Sequence, residues 1–335
     1  MNNIEPLTPW IRRFLLEYLV TDRNLARNTQ RSYRDTLTIF LPFVAKKLKK
    51  SIDFLTVEDV GNDCVREFLL ELEKERGCSI STRNQRLAAI HSLARFIGER
   101  NPELLVWFAE IHSIPFKKTA APSVTYLEKQ EIDALLDVPD RQTPQGLRDY
   151  ALLLFFYNSG ARASEVAQLT IADLNLGPPP SITLLGKGGK VRRCPLWPQT
   201  VCILVPLIAG REPHEAIFLN RTKEPITRFG IRALVKRSAQ EASRNLPSLS
   251  TKSVSTHTLR HTTAVHLLRS GVDINTIRAW LGHASLDTTH KYAEVDLEMK
   301  AKALAQCKIP SSAAVAAATE HWSNNLELMA FLKSL

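Results

Sequence analysis

Apolar residues in the first third of the chain recur every three or four positions, the spacing that places them on one face of an α-helix. Polar and turn residues divide this pattern into four segments, so residues 1–115 are predicted to form an N-terminal helical bundle. Pro42 is a candidate break within the second segment. The first predicted helix covers Trp10–Val20. Asn28 and Ser81 are the predicted N-caps of the second and fourth helices, and Asn62 or Asp63 opens the third.

A proline- and lysine-containing stretch without periodicity follows, and residues 116–124 are predicted to be an interdomain linker. Thr125 and Glu128 have the spacing of a capping box, which indicates that a helix begins there. A second domain is therefore predicted over residues 125–310, with residues 311–335 as a C-terminal tail helix.

The pattern within the second domain is mixed. Leu147–Ser159 is apolar almost all round and is predicted to be a central, buried helix. Ser181–Leu185 and Val191–Leu196 alternate like strands on either side of a glycine-rich turn, which indicates a β-hairpin. The chain is thus predicted to be mainly α with a small β-hairpin or sheet, its second domain being α+β.

Residues 257–292 contain two further predicted helices that carry polar side chains at fixed offsets. Either Asp273 or Asn275 is expected to cap the second of these helices. His257 and Arg260 stand three positions apart, so on a helix they share a face and can point at one object.

The composition favours a polyanionic partner. The chain of 335 residues carries 44 Lys+Arg against 34 Asp+Glu, a net charge of +10, which suits nucleic acid but by itself leaves acidic membrane surfaces open. The five cysteines are scattered and form no CxxC pair, as is typical of reduced cytosolic thiols. No secretory signal and no apolar run near the ~20 residues of a bilayer span are visible, so we expect a soluble intracellular protein.

Three short motifs, HTLRH, LGHAS and TTHKY, lie in order within residues 257–292. Their joint spacing resembles the C-terminal signature of the tyrosine recombinases, the phage integrase family. Two upstream motifs extend the resemblance, with Arg162 in the run GARASE and Lys187 in the turn GKGGK; Ala161 stands where leucine is more usual. The resemblance implies an N-terminal core-binding, SAM-like helical bundle and a C-terminal α+β tyrosine recombinase catalytic domain.

The resemblance also implies transesterification of a DNA phosphodiester. Tyr292 would attack the phosphorus and keep the bond energy in a 3′-phosphotyrosine, so no nucleotide, metal or other cofactor is expected. Arg162 and Arg260 would stabilise the negative charge on the non-bridging oxygens, because guanidinium is always charged and donates paired hydrogen bonds to phosphate.

The remaining motif residues would handle protons. His257 would exchange a proton with the attacking or departing oxygen, and His283 would donate to a phosphate oxygen. Lys187 is assigned as the general acid for the leaving 5′-oxygen, with Lys190 in the same turn as the rival lysine and a candidate DNA-backbone contact. Glu165 is interpreted as a residue that orients a catalytic group.

The second and fourth predicted helices have polar faces rich in groups that contact phosphates and base edges. An ordinary solvated helix face is the alternative interpretation. The resemblance favours DNA contact, because the N-terminal domain of the family grips the duplex through helices of this kind. The candidates are Arg27, Asn28, Thr29, Arg31 and Arg34 in the second helix and Thr82, Arg83, Asn84, Gln85 and Arg86 in the fourth.

The resemblance implies double-stranded DNA and a homotetramer on synapsed DNA as partners, with accessory or sister recombinases as further candidates and no membrane. We expect the protein in the cytoplasm, associated with the nucleoid. Residues 293–298 favour a recombinase of a transposable or integrative element over one that resolves chromosome dimers. Residues 311–335 either pack on their own domain or pass to a neighbouring protomer.

Three other functions are weighed against this interpretation. His257, His261 and His266 crowd one predicted helix and could ligate zinc, but Thr258 stands where an HExxH motif has glutamate. A DNA-binding accessory protein without catalysis would not need Tyr292. A nicking and relaxing topoisomerase would use the same chemistry without strand exchange, and the sequence leaves this alternative open.

Overall fold

A computed structural model describes residues 5–119 and 124–282. The chain divides into two compact units between Pro122 and Ser123. Residues 5–119 are called the N-terminal unit below, and residues 124–282 the C-terminal unit. The extent of the predicted linker stays a prediction, since residues 120–123 are not described. The predictions for residues 283–335, including the tail helix, also fall outside the described residues.

The N-terminal unit is a helical bundle around an aromatic core, as its apolar spacing predicts. Phe14, Phe40, Phe68 and Phe96 are fully buried, and the ring centroids of Phe40 and Phe68 lie 4.9 Å apart. The helices are α1 (Leu7–Arg13), its π-helical continuation (Phe14–Asp22), α2 (Arg27–Leu48), α3 (Asn62–Lys74), α4 (Ile80–Gly98) and α5 (Leu105–His112).

Two predictions for these helices are wrong. Ser79, and not Ser81, caps α4, because its Oγ accepts from the backbone N–H of Thr82 at 3.2 Å. Pro42 does not break α2, which continues through it to Leu48. Proline removes one hydrogen bond to the carbonyl four residues earlier, but Pro42 and Thr38 are both exposed, so water can take the place of the missing donor.

Two predicted caps are also wrong. Asn28 is the second residue of α2, which begins at Arg27. The capping box at residues 125–131 consists of Glu128 and Glu131, not of Thr125 and Glu128, because Glu131 Oε2 accepts from the backbone N–H of Glu128 at 2.8 Å. In both cases the true helix start lies within three residues of the predicted one.

The C-terminal unit combines helices with one antiparallel sheet of order β1-β2-β3. The strands are β1 (Leu174–Asn175), β2 (Ser181–Leu185) and β3 (Val191–Pro195), so the predicted hairpin is confirmed and β1 extends it. The helices are α6 (Lys129–Leu136), α7 (Pro144–Ser159), α8 (Ala163–Val166), α9 (Pro198–Ile208), α10 (Arg228–Asn245), α11 (Thr256–Arg269) and α12 (Ile274–Leu281).

Helix α7 is the centre of this unit, as its all-round apolar sequence predicts. Phe155 and Phe156 on it are fully buried. Helix α11 packs against α7, and Thr263 Oγ1 donates to the carbonyl of Tyr157 at 2.8 Å. The described fold is therefore mainly helical with one small sheet. Among the described helices, none combines the length and the apolar character that crossing a membrane requires.

Candidate active site

Arg162 owes its position to the turn that ends α7. Gly160 has a left-handed backbone with φ of 58°, which glycine adopts without steric cost. A Cβ at this position would come within 2.5 Å of Leu281 Cδ2, so a larger residue would displace the buried Leu281 side chain. Two residues later, Arg162 is the N-cap of α8.

The carboxylate of Glu165 fixes Arg162 from within α8. Glu165 accepts from the backbone N–H and from Nη1 of Arg162, both at 2.8 Å, and its side chain is only 3% exposed. Burial raises the pKa of Glu165, but hydrogen bonds from Arg192 and Arg162 outweigh burial and hold it below its usual value. Glu165 is thus ionised and holds a guanidinium, as the orienting role requires.

Arg260 lies on the face of α11 that meets the ends of two other helices. It is 3% exposed, and its guanidinium donates to the carbonyls of Gly160, at 2.7 Å, and of Leu281. Carbonyls at helix C-termini lack partners within the helix and carry partial negative charge. Arg260 therefore joins the end of α7, next to Arg162, to the end of α12.

His257 lies one turn before Arg260 near the start of α11 and is itself exposed, between the buried Thr256 and Thr258. Partial enclosure of its ring lowers the pKa of His257, and the nearby guanidiniums of Arg260, Arg162 and Arg232 lower it further. The imidazole is therefore neutral at neutral pH and able to accept a proton. Both motif arginines thus act electrostatically on His257, although they lie on different elements.

The glycine-rich turn between β2 and β3 carries the two candidate lysines. Gly188 and Gly189 both have φ of 76°, which favours glycine over any other residue. The backbone N–H of Gly186 donates to the carbonyl of Lys190 at 2.7 Å and closes the turn, and Lys190 is exposed. The backbone of Lys187 begins the single 3₁₀ turn of this loop. The predicted residues His283 and Tyr292 lie outside the described residues.

Sequence reasoning missed two arginines of this region. Arg192 on β3 also binds Glu165, and its position was readable from the strand: β3 alternates, so Arg192 shares the inward face with the fully buried Cys194. Arg232 on α10 had no such signal. With Lys236 and Lys252 it lines a groove of about 670 Å³ beside His257.

The histidines of α11 do not form a cluster of metal ligands. Within residues 5–119 and 124–282, no three His, Cys, Asp or Glu side chains converge as a metal site would require. The ring Nδ1 of His266 lies 2.8 Å from the hydroxyl of Tyr157, so this histidine links α11 to α7.

The α2 face predicted to contact DNA is open to solvent in the N-terminal unit. The Arg34 guanidinium pairs with its neighbour Asp35 at 2.8 Å, and both side chains are more than half exposed. The predicted residues Arg27, Asn28, Arg31 and Arg34 are exposed, and Thr29 is half-buried.

The α4 face is occupied differently. The Arg83 side chain is 7% exposed, with Nε 3.4 Å from Glu73 and Nη1 donating to the carbonyl of Pro115 at 3.0 Å. Thr82 Oγ1 lies 3.1 Å from Ser79 Oγ in the helix cap. Arg83 is therefore committed to contacts within its own unit.

The other polar residues of α4 also have partners in the same unit. Asn84 Nδ2 donates to the carbonyl of Lys117 at 2.8 Å, and the Lys117 N–H donates back to Asn84 Oδ1 at 3.1 Å. Gln85 Nε2 donates to Ser32 Oγ at 2.8 Å, and Arg86 Nη1 donates to the Ser32 carbonyl at 3.3 Å. These side chains fasten α4 to α2 and to the segment that leaves α5.

Comparison with known proteins agrees with this geometry. The Phage integrase family model matches residues 125–299, and the model of the phage integrase N-terminal SAM-like domain matches residues 11–101. Both matches confirm the predicted fold class.

Two curated relatives span most of the chain. It is 35% identical over 333 residues to the putative integrase/recombinase y4rC of Sinorhizobium fredii, with 98% of each chain covered. It is also 35% identical over 305 residues to tyrosine recombinase XerC of Pelobacter propionicus, covering 88% of this chain and 93% of that one.

Among solved structures, the Tn1549 transposon integrase in complex with circular intermediate DNA has a similar fold, with a TM-score of 0.67 and 17% identity. The match covers 90% of this chain and 98% of that one. With both family models matched and 35% identity to a relative over 98% of each chain, this chain belongs to the phage integrase family of tyrosine recombinases.

Proposed function

We propose that this protein is a site-specific recombinase that cleaves and rejoins DNA strands through a 3′-phosphotyrosine at Tyr292. The observation that supports this most is geometric: Arg260 lies one turn from His257 on α11 and binds the carbonyl of Gly160, two residues before Arg162, and both guanidiniums lower the pKa of His257. A cluster of positive charge around a neutral proton acceptor suits a phosphodiester that gains negative charge during attack.

The two arginines bind the non-bridging oxygens of the cleaved phosphate. Each is held in place before DNA arrives, Arg162 by the Glu165 carboxylate and Arg260 by the carbonyls of Gly160 and Leu281. Because these contacts fix the guanidiniums, little reorganisation remains for the moment of reaction. The phenol of Tyr292 attacks phosphorus, and the bond energy stays in the ester for rejoining.

Proton transfer falls to the remaining motif residues. His257, held neutral, accepts the proton of the attacking hydroxyl and returns it in the reverse step. Lys187, carried by the hairpin turn, protonates the leaving 5′-oxygen, and His283 donates to a phosphate oxygen. No group in this scheme requires a metal or a nucleotide.

The exposed α2 residues Arg27, Asn28, Arg31 and Arg34 contact the DNA backbone in this proposal. Lys190 on the hairpin adds a backbone contact. Strand exchange takes place in a tetramer of protomers on two synapsed duplexes, and the protein works in the cytoplasm at the nucleoid.

The biological role is insertion or excision of a mobile element. The relative in Sinorhizobium fredii, a putative integrase/recombinase that matches over 98% of both chains, supports this assignment. Resolution of chromosome dimers is the second candidate, because the XerC relative is equally identical over 88% of this chain. A plasmid carrying two directly repeated element ends, compared with one carrying two chromosomal terminus sites, separates these roles.

The decisive experiment uses a nicked suicide duplex made from the DNA that flanks the gene. Cleavage next to the nick releases a short oligonucleotide that diffuses away, so the covalent complex accumulates. Wild type and Tyr292→Phe are incubated with the duplex in EDTA and resolved on a denaturing protein gel. We expect a shifted band for wild type and none for Tyr292→Phe.

Arg260→Gln serves as a second variant that keeps the phenol but removes a guanidinium from the phosphate. It should bind the duplex and form little covalent complex, a loss of about 100-fold or more if Arg260 stabilises the transition state. Duplex binding by wild type without any covalent band would overturn the catalytic proposal for that DNA and favour an accessory DNA-binding protein.

A further inference from the structure

Arg192 occupies a position that the catalytic scheme above does not use. Its side chain is 8% exposed, although it lies on β3 only two residues beyond the turn that carries the lysines. A buried arginine needs several partners to offset the loss of water. The identity of those partners indicates what Arg192 does.

The first partner is Glu165, which Arg192 binds through both ends of its guanidinium. Nη1 donates to Oε1 at 3.1 Å and Nη2 donates to Oε2 at 2.8 Å. The same two oxygens accept from the side chain and backbone of Arg162. One buried carboxylate thus lies between the two arginines, and Arg192 sets the plane in which Glu165 holds Arg162.

The second partner is the C-terminal turn of α12. Arg192 Nε donates to the carbonyl of Trp280 at 2.9 Å. The next carbonyl, that of Leu281, accepts from Arg260. A Cβ at Gly282 would lie 3.1 Å from Arg192 Cδ, so the aliphatic stem of Arg192 also packs against the residue that ends α12.

The third connection runs along the chain, because Arg192 lies on β3 two residues after the turn that contains Lys187 and Lys190. Across the hairpin, Arg192 pairs with Leu184 on β2. The turn also approaches the carboxylate, because a Cβ at Gly186 would lie 3.5 Å from Glu165 Oε1. Arg192 therefore contacts or directly continues into three parts of the site: α8 with Arg162, the hairpin, and the end of α12.

We propose that Arg192 is a positioning residue that aligns Arg162, the lysine hairpin and the end of α12 by binding Glu165 and the Trp280 carbonyl at once. This inference rests on the proposed recombinase function. Arg192 is buried behind Glu165, so it acts on Arg162 and does not itself touch the cleaved phosphate. Without Arg192, Glu165 keeps only the guanidinium of Arg162 as a partner among these two arginines. The hydrogen bond that joins β3 to the Trp280 carbonyl is lost as well.

The test measures the rate of covalent complex formation on the suicide duplex at saturating protein, together with duplex affinity. Arg192→Gln should slow cleavage on the order of 100-fold, the cost of a small misplacement of reacting groups. Affinity should stay within about twofold, because phosphate contacts at the surface dominate binding. Arg192→Lys should restore part of the rate, since an ammonium can pair with Glu165 but cannot form the bidentate contact.

Arg193→Gln is the matched control. Arg193 is the next residue of β3, carries the same charge and is exposed, so this variant removes a positive charge without touching Glu165 or α12. It should cleave at close to the wild-type rate. Equal rates for Arg192→Gln and Arg193→Gln, with wild type active, would overturn the inference and leave the proposed function intact.

Two further measurements separate positioning from loss of structure. The defect of Arg192→Gln should shrink on a duplex whose cleaved phosphate is a neutral methylphosphonate, because Arg162 then has less charge to stabilise. The double variant Arg192→Gln, Glu165→Gln should be no slower than the slower single variant, whereas multiplied defects would contradict action through Glu165.

If Arg192→Gln fails to fold by circular dichroism, Arg192→Lys and Glu165→Gln carry the same comparison. A wild type without covalent complex overturns the proposed function and this inference with it.

Discussion

Helices α2 and α4 present similar polar sequences, yet the structure uses them in opposite ways. Near its start α2 exposes arginines such as Arg27 and Arg31 to solvent. Near its start α4 directs Arg83 inward. On the same helix, Asn84 binds Lys117 and Gln85 binds Ser32. Both faces were predicted to contact DNA on the same compositional grounds.

The difference shows that residue type alone does not separate an exposed polar face from one that packs within the fold. On these two helices, Arg83 is buried by an ion pair and a carbonyl and does not present its guanidinium to a duplex, whereas the exposed arginines of α2 do. The number of partners within the fold is therefore the better guide. Four predictions test this comparison.

Arg83→Gln should have the largest effect, a loss of about 3 kcal/mol in the free energy of unfolding. The substitution breaks the buried ion pair with Glu73 and removes the donor to the Pro115 carbonyl. Glu73 keeps Lys117 as a partner at 2.6 Å, which places the loss at the lower end for such pairs. Urea unfolding followed by circular dichroism measures it, and a loss below about 1 kcal/mol would show that Arg83 is not structural.

His91, also on α4, should make the N-terminal unit sensitive to acid. Burial, the charge of His112 and two nearby arginines lower the pKa of His91 from 6.5 to about 4. Since the folded pKa lies below the unfolded one, the stabilisation is complete above pH 6.5 and is lost as pH falls towards 4. Between pH 7 and pH 5 the free energy of unfolding should drop by about 2 kcal/mol from this group.

His91→Phe should remove most of that drop, because phenylalanine does not titrate. It can replace the stacking of His91 on His112, whose ring centroids lie 4.7 Å apart in the wild type. His214→Asn is the control, an exposed histidine of the C-terminal unit. The same acid dependence in His91→Phe as in wild type would assign the effect to other groups.

Arg31→Gln should lower duplex affinity several-fold and reduce the slope of log affinity against log salt by about 1, as expected for one lost phosphate contact. The free energy of unfolding should change by less than about 0.5 kcal/mol, because Arg31 is exposed. Arg12→Gln, an exposed arginine of α1 outside the proposed contact face, provides the comparison. An unchanged salt slope in Arg31→Gln would contradict the role proposed for α2.

Gln85→Ala should have the smallest effect, a loss of about 0.5 to 1 kcal/mol in stability from the hydrogen bond to Ser32. Duplex affinity should be unchanged. A clear fall in affinity at constant stability would show that the α4 face also reaches DNA, and the contrast between the two helices would then be lost. Titration by fluorescence anisotropy measures the affinity of Gln85→Ala and of Arg31→Gln for the same duplex.

The sequence was sufficient wherever the information is local or carried by spacing. The apolar spacing of the N-terminal third gave a helical bundle, and the unbroken apolar run of Leu147–Ser159 gave the central helix. The glycine-rich turn between two alternating runs gave the β2-β3 hairpin. Helix caps were less certain, as Ser79 and Glu128 show, because several neighbouring polar residues can each supply the capping oxygen.

The motifs identified the family and named Arg162, His257 and Arg260, because chemistry on a phosphate needs those groups at fixed offsets. Only the tertiary structure showed what holds them. Arg192 and Arg83 illustrate why: the partners of Arg192 are 27 and 88 positions away in sequence, and Arg83 meets Pro115 across 32 positions. Burial of a charge depends on such distant partners, and no local pattern contains them.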